Sequence, residues 1–464
     1  MSDRSWSRRR WLVTTSSAAA LVSTLGACAT GAPSGVAHPP IVFVHGNGDT
    51  AALWTTTIWR FESNGWPRDR LYAIDLPYPL ARDDDGRAQP GRTSTTEHMQ
   101  FLAAEVRKVL AATGASKVVL IGNSRGGNAI RNYIANGGGA ALVSHAILGG
   151  AVNHGVYADP NRAPGSEFNG AGPFLRGLNA PQPSGDEVTP GVRWMTIRSD
   201  NNDKYAQPDG VWLGRRGEPT HVSYDAPALK GAENLVLPGV DHRETAFSPQ
   251  AFAAMYRFLT GREPATTTPV PEARVVLDGV VSGLGLDNAQ GNFPTNLPLV
   301  GATVEVYPVD PATGERRAIA MHRKTIGADG RWGPFTGEPD ATYEFVISAP
   351  GYATTHVYRS PFARSSRIVN LRAERLLDAD KDAAAVVTLT RPRGYFGVPR
   401  DRIELDGKSP PAGIPPGVAG VSSSKLKITD AAGRAVAGAF NDERIVGRAW
   451  PVAGNHVVVL ELTY

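Results

Sequence analysis

An apolar run that ends in a Gly-x-Ser-x-Gly turn constrains this chain more than any other segment. Residues 117–121 read Lys-Val-Val-Leu-Ile, which favours a buried β-strand, and residues 122–126 follow at once as Gly-Asn-Ser-Arg-Gly. A segment typical of a helix continues from 128 to 134. A serine on so sharp a turn requires neighbours with little or no side chain, which Gly122 and Gly126 provide. Strand, turn and helix in this order predict a nucleophile elbow with Ser124 at its tip.

A second apolar run supplies a partner for this turn. Residues 39–44 read Pro-Pro-Ile-Val-Phe-Val and lead into His45 and Gly46. In folds built around a nucleophile elbow, the loop after such a strand donates one backbone N–H to the oxyanion, and the residue after the serine donates another. By position these donors are the N–H groups of Asn47 and Arg125, and a tetrahedral acyl intermediate requires such preorganised donors. We expect His45 to brace this loop and assign it no proton transfer.

Two later loops offer an acid and a base in the chain order serine, acid, histidine. The strand-like residues 191–199 precede both Asp200 and Asp203. A triad acid belongs just past such a strand, where it can orient an imidazole. Residues 234–240 form another short strand-like run, and the loop after it carries His242, the predicted general base.

Residues 39–262 resemble small bacterial α/β-hydrolase lipases and esterases with little or no lid. The stretches that carry the likeness are 41–46, 65–75, the elbow, 148–151, 174–179 and 239–242. The resemblance implies a mostly parallel, doubly wound sheet. The family usually has His before the elbow serine, where this chain has Asn123. The acid loop is also about one residue longer than the usual Ser-x-x-Asp pattern, which favours Asp203 and keeps Asp200 as the alternative.

These pieces predict a serine carboxylic-ester hydrolase that works through an acyl-enzyme, with an ester or lipid as substrate and no cofactor or metal ion. The catalytic residues would be Ser124, Asp203 and His242, with Asn47 and Arg125 forming the oxyanion hole. An extracellular polyester depolymerase with the same triad is one alternative. A non-catalytic surface-binding protein on a hydrolase fold is another, and intact serine and histidine positions argue against it.

Residues 152–190 form a long irregular segment rich in Gly, Pro and Asn between the elbow and the acid. Such a segment inside an α/β domain is often functional. It is predicted to border the acyl pocket, with Phe168, Phe174 and Leu175 as apolar lining. The alternative is a tolerated surface loop.

The charge of the chain gives no support for nucleic-acid binding. The net charge is +4, and four arginines against one aspartate place +3 of it in the first ten residues. With 464 residues and 41% hydrophobic residues, the chain is long enough for more than one domain with a real core.

The N-terminus is typical of an export signal. Residues 7–12 read Ser-Arg-Arg-Arg-Trp-Leu, which resembles the twin-arginine consensus. Residues 25–28 read Leu-Gly-Ala-Cys and resemble a bacterial lipobox, and Cys28 is the only cysteine of the chain. We predict a signal peptide over 1–28, membrane attachment through lipidated Cys28, and a tether over 29–38. Ordinary cleavage at the same place would instead give a secreted enzyme, so the protein is expected in the periplasm, on the cell surface or outside the cell.

Composition changes after the catalytic segment. Residues 263–272 form a Pro/Thr linker, and short β-type runs between turn signals follow. Residues 273–373 resemble a carboxypeptidase-regulatory or transthyretin-like β-sandwich, and 374–464 form a second β-rich segment. The layout resembles an archaeal lipase whose tail shelters or binds lipid, so a lipid or polymer surface is the predicted partner of this tail.

The Pro/Thr composition of residues 263–272 implies few contacts between the catalytic segment and the β-rich tail. Truncation before Ala273 is therefore expected to leave a folded domain that still cleaves a soluble ester. The alternative is that the tail covers an apolar face of the hydrolase, in which case truncation would cause aggregation.

Overall fold

Six parallel strands form the centre of the first half of the chain in the computed structural model, which describes residues 38–287 and 293–464. The sheet order is β2-β1-β3-β4-β5-β8. The strands are β1 (Ile41–Val44), β2 (Leu71–Ile74), β3 (Val118–Asn123), β4 (Val143–Gly149), β5 (Arg193–Ser199) and, after the short hairpin of β6 (Asp209–Gly210) and β7 (Arg215–Pro219), β8 (Glu233–Leu237). The predicted leader, Cys28 and most of the tether lie outside the described residues.

Helices cover both faces of this sheet. They are α1 (Thr55–Ser63), α2 (Thr95–Thr113), α3 (Arg125–Asn136), α4 (Pro173–Leu178), α5 (Glu244–Phe247) and α6 (Pro249–Thr260). Val42 and Val44 pack with α2 and α3 on one face, whereas Ile41 and Phe43 pack with α1 and α6 on the other. A strand buried on both faces needs a continuous apolar run, which is what β1 and β3 have. The predicted doubly wound α/β-hydrolase sheet is confirmed.

The chain order of the strands positions the site. β1 lies between β2 and β3, so the chain leaves it in one direction and later returns on its other side. Ligands of open α/β sheets bind beyond the carboxyl ends of the strands at such a reversal. The loops after β1 and β3, which carry Asn47 and Ser124, therefore meet at the same edge.

The second half of the chain is all β, as predicted. Its strands are β9 (Val275–Leu277), β10 (Val281–Gly283), β11 (Thr303–Pro308), β12 (His322–Thr325), β13 (Phe335–Gly337), β14 (Tyr343–Ser348), β15 (Thr354–Arg359), β16 (Leu371–Ala373), β17 (Ala385–Thr390), β18 (Ile403–Leu405), β19 (Ser423–Ile428), β20 (Ala435–Phe440), β21 (Glu443–Arg448) and β22 (His456–Glu461). A seven-stranded sheet in the order β12-β11-β14-β15-β22-β17-β19 is its largest element.

This sheet joins the two β segments that composition had separated at residue 373. β22 pairs in parallel with β15 from the earlier segment and with β17 from the later one. The three-stranded sheet β18-β20-β21 packs over the same region, where Tyr358, Val387 and Leu460 share one buried core. The two segments are therefore halves of a single β region, because the last strand of the chain inserts between them.

The predicted linker is bound to helix α1. Arg60, which is buried, donates from Nε to the carbonyl oxygen of Thr267 at 2.6 Å, and Asn64 Nδ2 donates to that of Thr266 at 2.8 Å. Trp59 of the same helix is 1% exposed and belongs to the core of the β region, where its indole N–H donates to Ser365 O. The expectation of few contacts fails because linker carbonyls accept hydrogen bonds from the side chains of Arg60 and Asn64. Residues 38–464 accordingly form one compact unit.

No helix among the described residues is long and apolar enough to cross a membrane.

Truncation before Ala273 is expected to give an insoluble or aggregated product, because it removes the core into which Trp59 packs and exposes that indole to water. The soluble fraction and the size-exclusion profile of residues 38–272, compared with those of the full chain, measure this. A monomeric truncated protein that melts at the same temperature as the full chain would contradict it.

Candidate active site

Ser124 sits at the carboxyl end of β3, directly before α3, with φ 54° and ψ −124°. A positive φ at a residue with a Cβ is strained and persists only where the surroundings enforce it. A Cβ added to Gly126 would lie 2.5 Å from the carbonyl oxygen of Val44, and one added to Gly122 would lie 2.8 Å from the carbonyl carbon of Gly126. Both glycines are thus required by close backbone approach, as the sequence indicated.

The loop after β1, which carries Gly46 and Asn47 and is called the oxyanion loop below, lies against the turn of Ser124. β1 and β3 pair in parallel with Val44 opposite Gly122, and a Cβ added to Gly46 would come within 3.1 Å of Ser124 Cβ. In the described part of the chain, no hydrogen bond is formed by the backbone N–H of Asn47 or by that of Arg125. Both are therefore available as donors at the mouth of the turn.

His45 holds the loop in place. Its Nδ1 lies 2.8 Å from Gly46 O, and its Nε2 lies 3.1 Å from the backbone nitrogen of Leu76. Because a backbone N–H can only donate, Nε2 is the acceptor and Nδ1 carries the proton. Both ring nitrogens are engaged, which fits a bracing role and leaves neither for proton transfer.

His242 pairs with Asp203. Its Nδ1 lies 2.8 Å and 2.9 Å from the two carboxylate oxygens, and both side chains are buried. Nδ1 therefore donates to the carboxylate, which leaves Nε2 as the basic nitrogen. Among the described residues, Nε2 has no hydrogen-bond partner, so no hydrogen bond joins it to Ser124 Oγ. Such bonds are often long without substrate and tighten when it binds.

Asp200 takes a different position. Its Oδ1 accepts hydrogen bonds from the N–H groups of Asn201 at 2.7 Å and Gly239 at 3.0 Å and from the hydroxyl of Ser199. Burial by itself raises the pKa of Asp200, but these hydrogen bonds bring it below its usual range. Asp200 thus fastens the acid loop to the loop that carries His242, and the imidazole is bound by Asp203.

Asn123 replaces the histidine usual before the elbow serine. Its Nδ2 donates to Gly149 O at 2.9 Å and to His242 O at 3.2 Å. The hydroxyl of Thr245 donates to the same His242 oxygen at 2.7 Å. The elbow and the histidine loop are therefore joined directly, through the residue that precedes Ser124.

The side chain of Arg125 is fully buried, a feature that sequence reasoning missed because it assigned this residue only a backbone role. Its guanidinium pairs with Glu167 at 2.7 Å and donates to the carbonyl oxygens of Pro79 and Thr93 at 3.1 Å and 2.6 Å. Burial raises the pKa of Glu167, and Arg125 opposes that shift. The irregular segment 152–190 is thereby attached to the elbow through its own carboxylate.

Part of the same segment contributes an apolar cluster beside the histidine. Phe168 and Tyr205 both belong to this cluster, and the Tyr205 ring meets the His242 ring edge-on at 4.7 Å between centroids. The other members of the cluster are Val152, Val156, Tyr157 and Leu213. Phe174 and Leu175, also predicted as lining, lie on α4 outside this cluster, Leu175 being fully buried.

In residues 38–287 and 293–464, no group of three or more His, Cys, Asp or Glu side chains is arranged to hold a metal ion.

Two parts of the chain match known protein families. Residues 38–159 match the class 2 lipases, and residues 273–376 match the lipase C-terminal domain. Among curated proteins, the non-heme haloperoxidase of Rhodococcus erythropolis is 31% identical over 114 residues, and the non-heme chloroperoxidase of Burkholderia pyrrocinia is 30% identical over 115 residues. Each match covers 24% of this chain and 37% of the relative, so the chain spans little more than a third of the length of these relatives.

Solved structures give remote likenesses. The mature form of the Bacillus licheniformis lipase BlEst2 is 20% identical, with 48% of this chain and 93% of that chain covered and a TM-score of 0.35. Its propeptide form is 14% identical, with 88% and 96% covered and a TM-score of 0.36. Two segments of the chain thus match lipase families, and the doubly wound parallel sheet of its first half has the α/β-hydrolase architecture and is followed by an additional C-terminal β domain.

Proposed function

We propose that this protein is a serine carboxylic-ester hydrolase that acts through an acyl-enzyme. The observation that carries the proposal is the buried pair of His242 and Asp203, on a loop fastened to the elbow of Ser124; the other imidazole nitrogen, Nε2, has no hydrogen-bond partner among the described residues. A nucleophile, a base and a group that orients the base are the parts such chemistry needs.

The reaction follows from this arrangement. Ser124 Oγ attacks the ester carbonyl carbon while His242 Nε2 takes the hydroxyl proton, and Asp203 stabilises the imidazolium. The N–H groups of Asn47 and Arg125 donate to the oxyanion. The tetrahedral intermediate then collapses, and the leaving alkoxide takes the proton from His242. Water attacks the acyl-enzyme by the same route, which releases the carboxylic acid and restores Ser124.

The surroundings of the histidine support an apolar acyl group. Phe168, Tyr157 and Val156 belong to the cluster that reaches His242 through Tyr205. Apolar side chains beside a reacting ester favour a hydrocarbon chain over a sugar or a charged group. A polyester is the second substrate candidate, because its repeating units carry the same bond. Hydrolysis of a p-nitrophenyl ester series beside a solid polyester film distinguishes the two.

The cellular location of the enzyme is proposed from its first 28 residues. The pair Arg8 and Arg9 within a twin-arginine motif supports export of the folded protein, and Cys28 in a lipobox supports membrane attachment by a lipid.

Substitution of Ser124 by alanine should abolish labelling by a serine-directed phosphonate and lower kcat by roughly 10⁴–10⁶-fold, because the acyl acceptor is lost. Labelling followed by mass spectrometry of the modified peptide, together with ester kinetics, measures both effects. If the wild-type protein takes up no phosphonate and cleaves no ester, the chain is a non-catalytic binding protein; near-normal turnover by the alanine variant would instead move the nucleophile elsewhere.

Substitution of Asp203 and of Asp200 by asparagine should affect kcat very differently. Asp203→Asn should lower kcat by about 10⁴-fold, because an amide favours the wrong tautomer of His242. Asp200→Asn keeps the size of the side chain, serves as the matched control and should have a far smaller effect, because Asp200 contacts backbone N–H groups. Steady-state kinetics of both variants decide, and the reverse ranking would assign the catalytic acid to Asp200.

Replacement of Arg8 and Arg9 by lysine should keep the precursor in the cytoplasm, because a receptor reads the arginine pair and bulk charge does not replace it. Cys28→Ser should release the mature enzyme from the membrane fraction. Cell fractionation followed by immunoblotting measures both. An unchanged distribution of the Cys28 variant would indicate ordinary signal cleavage and a secreted form.

A further inference from the structure

The loop that carries His242 contains a buried carboxylate one residue earlier. Asp241 is fully buried, and its Oδ1 accepts the backbone N–H groups of Arg243 at 2.8 Å and Glu244 at 2.9 Å. These two bonds fix the backbone immediately after the histidine. The conformation of the His242 loop therefore depends on where the Asp241 carboxylate is held.

The other oxygen of this carboxylate is held by the C-terminal β region. Arg391 Nη1 donates to Asp241 Oδ2 at 2.8 Å, and the backbone N–H of Tyr395 donates to the same oxygen at 2.8 Å. Arg391 is itself buried, and its Nη2 donates to Glu244 Oε1 at 2.6 Å. The guanidinium of Arg391 thus binds both Asp241, directly before His242, and Glu244, two residues after it.

A second arginine of the tail completes the contact. Arg400 Nη1 donates to Glu244 Oε2 at 2.7 Å and to Gly239 O at 3.0 Å. Glu244 Oε2 in turn accepts the backbone N–H of Asp241 at 2.7 Å. The tail therefore forms hydrogen bonds with three residues at or beside the His242 loop: Gly239, Asp241 and Glu244.

The charge of Asp241 is sustained by these arginines. Burial by itself raises its pKa, but Arg391 and Arg400 bring it below its ordinary range. The nearby Arg243 of the hydrolase region is paired with Asp49, at 3.2 Å between Nε and Oδ2. A buried carboxylate that loses its cation either takes up a proton or draws its loop toward water, because an uncompensated charge is unfavourable in the protein interior.

We propose that Arg391, assisted by Arg400, is a positioning residue for the catalytic histidine, so that the C-terminal β region forms part of the active centre. The inference rests on the proposed function. Without Arg391, Asp241 loses its nearest cation and a side-chain hydrogen bond, the loop shifts, and His242 Nε2 is displaced from Ser124. A displacement of about 1 Å at such a site can cost roughly 10²-fold in rate. Both arginines lie beyond residue 376, where the match to the lipase C-terminal domain ends.

The competing explanation is that the contact of Arg391 and Arg400 with the His242 loop only holds the C-terminal β region against the hydrolase region and has no effect on the position of His242. The chain offers a matched control for that case. Arg364 of the β region pairs with the buried Glu62 of α1, at 2.9 Å between Nε and Oε2, and with Glu272 at 3.2 Å. It joins the same two regions through a carboxylate on a helix that carries no triad residue.

The test uses the full chain with Arg391→Met, Arg391→Lys, Arg364→Met and the double variant Asp241→Asn/Arg391→Met. We expect Arg391→Met to lower kcat on a soluble p-nitrophenyl ester by on the order of 10²-fold with little change in KM. Arg391→Lys should keep part of the activity. The double variant should recover part of it, because it no longer buries a carboxylate that has lost its nearest cation. Arg364→Met should keep the wild-type kcat.

A second measurement does not depend on turnover. The ¹H resonance of the proton shared by His242 Nδ1 and Asp203 reports the geometry of that pair, and it should shift or broaden in the folded Arg391→Lys protein and stay unchanged in Arg364→Met. If Arg391→Met fails to fold, the lysine variant carries the comparison. Wild-type kcat in the Arg391 variants, or equal losses of kcat in Arg391→Met and Arg364→Met, would overturn the proposal. A wild-type chain that cleaves no ester would refute the proposed function, and the resonance would still test the positioning.

Discussion

The parallel pairing of β1 with β3 is the contact on which the rest of the site depends. With Val44 opposite Gly122, the first turn of α3 comes so close to β1 that a Cβ on Gly126 would lie 2.5 Å and 2.6 Å from two β1-end carbonyl oxygens. This approach forces the strained φ of Ser124 and sets the oxyanion loop beside it. Because strand pairing is held by many hydrogen bonds and by packing on both faces, it can hold one residue in an unfavourable conformation.

Much of this could be predicted from the sequence, because it is local. Apolar runs gave β1, β3 and β5, and two glycines around a serine gave the elbow. What the sequence left open was the choice between Asp200 and Asp203, which lie three residues apart on one loop. That choice depends on the course of the loop: Asp200 turns back to bind Gly239, and Asp203 meets His242.

The rest could not be predicted because it depends on pairs far apart in the chain. Arg125 reaches Glu167 across 42 residues, and Asp241 meets Arg391 across 150. Residues 263–272 have the composition of a free linker. Composition does not reveal that Arg60 of α1 and Asn64, which follows that helix, donate hydrogen bonds to carbonyl groups of this segment. For the same reason, the sequence did not show that the segments before and after residue 373 share one sheet. They are joined by β22, which lies far along the chain from β15.

Three ion pairs now describe how the centre is assembled. Arg125 and Glu167 join the elbow to the irregular segment, Arg243 and Asp49 join the histidine loop to the oxyanion loop, and Arg391 and Asp241 join the histidine loop to the tail. Buried ion pairs contribute little net stability, because desolvation offsets their attraction, and apolar side chains of similar volume often do as well. They differ from apolar contacts in direction, since a guanidinium fixes both distance and angle to a carboxylate. A centre built from loops of separate segments needs fixed angles more than it needs stability, and ion pairs at its three junctions meet that need.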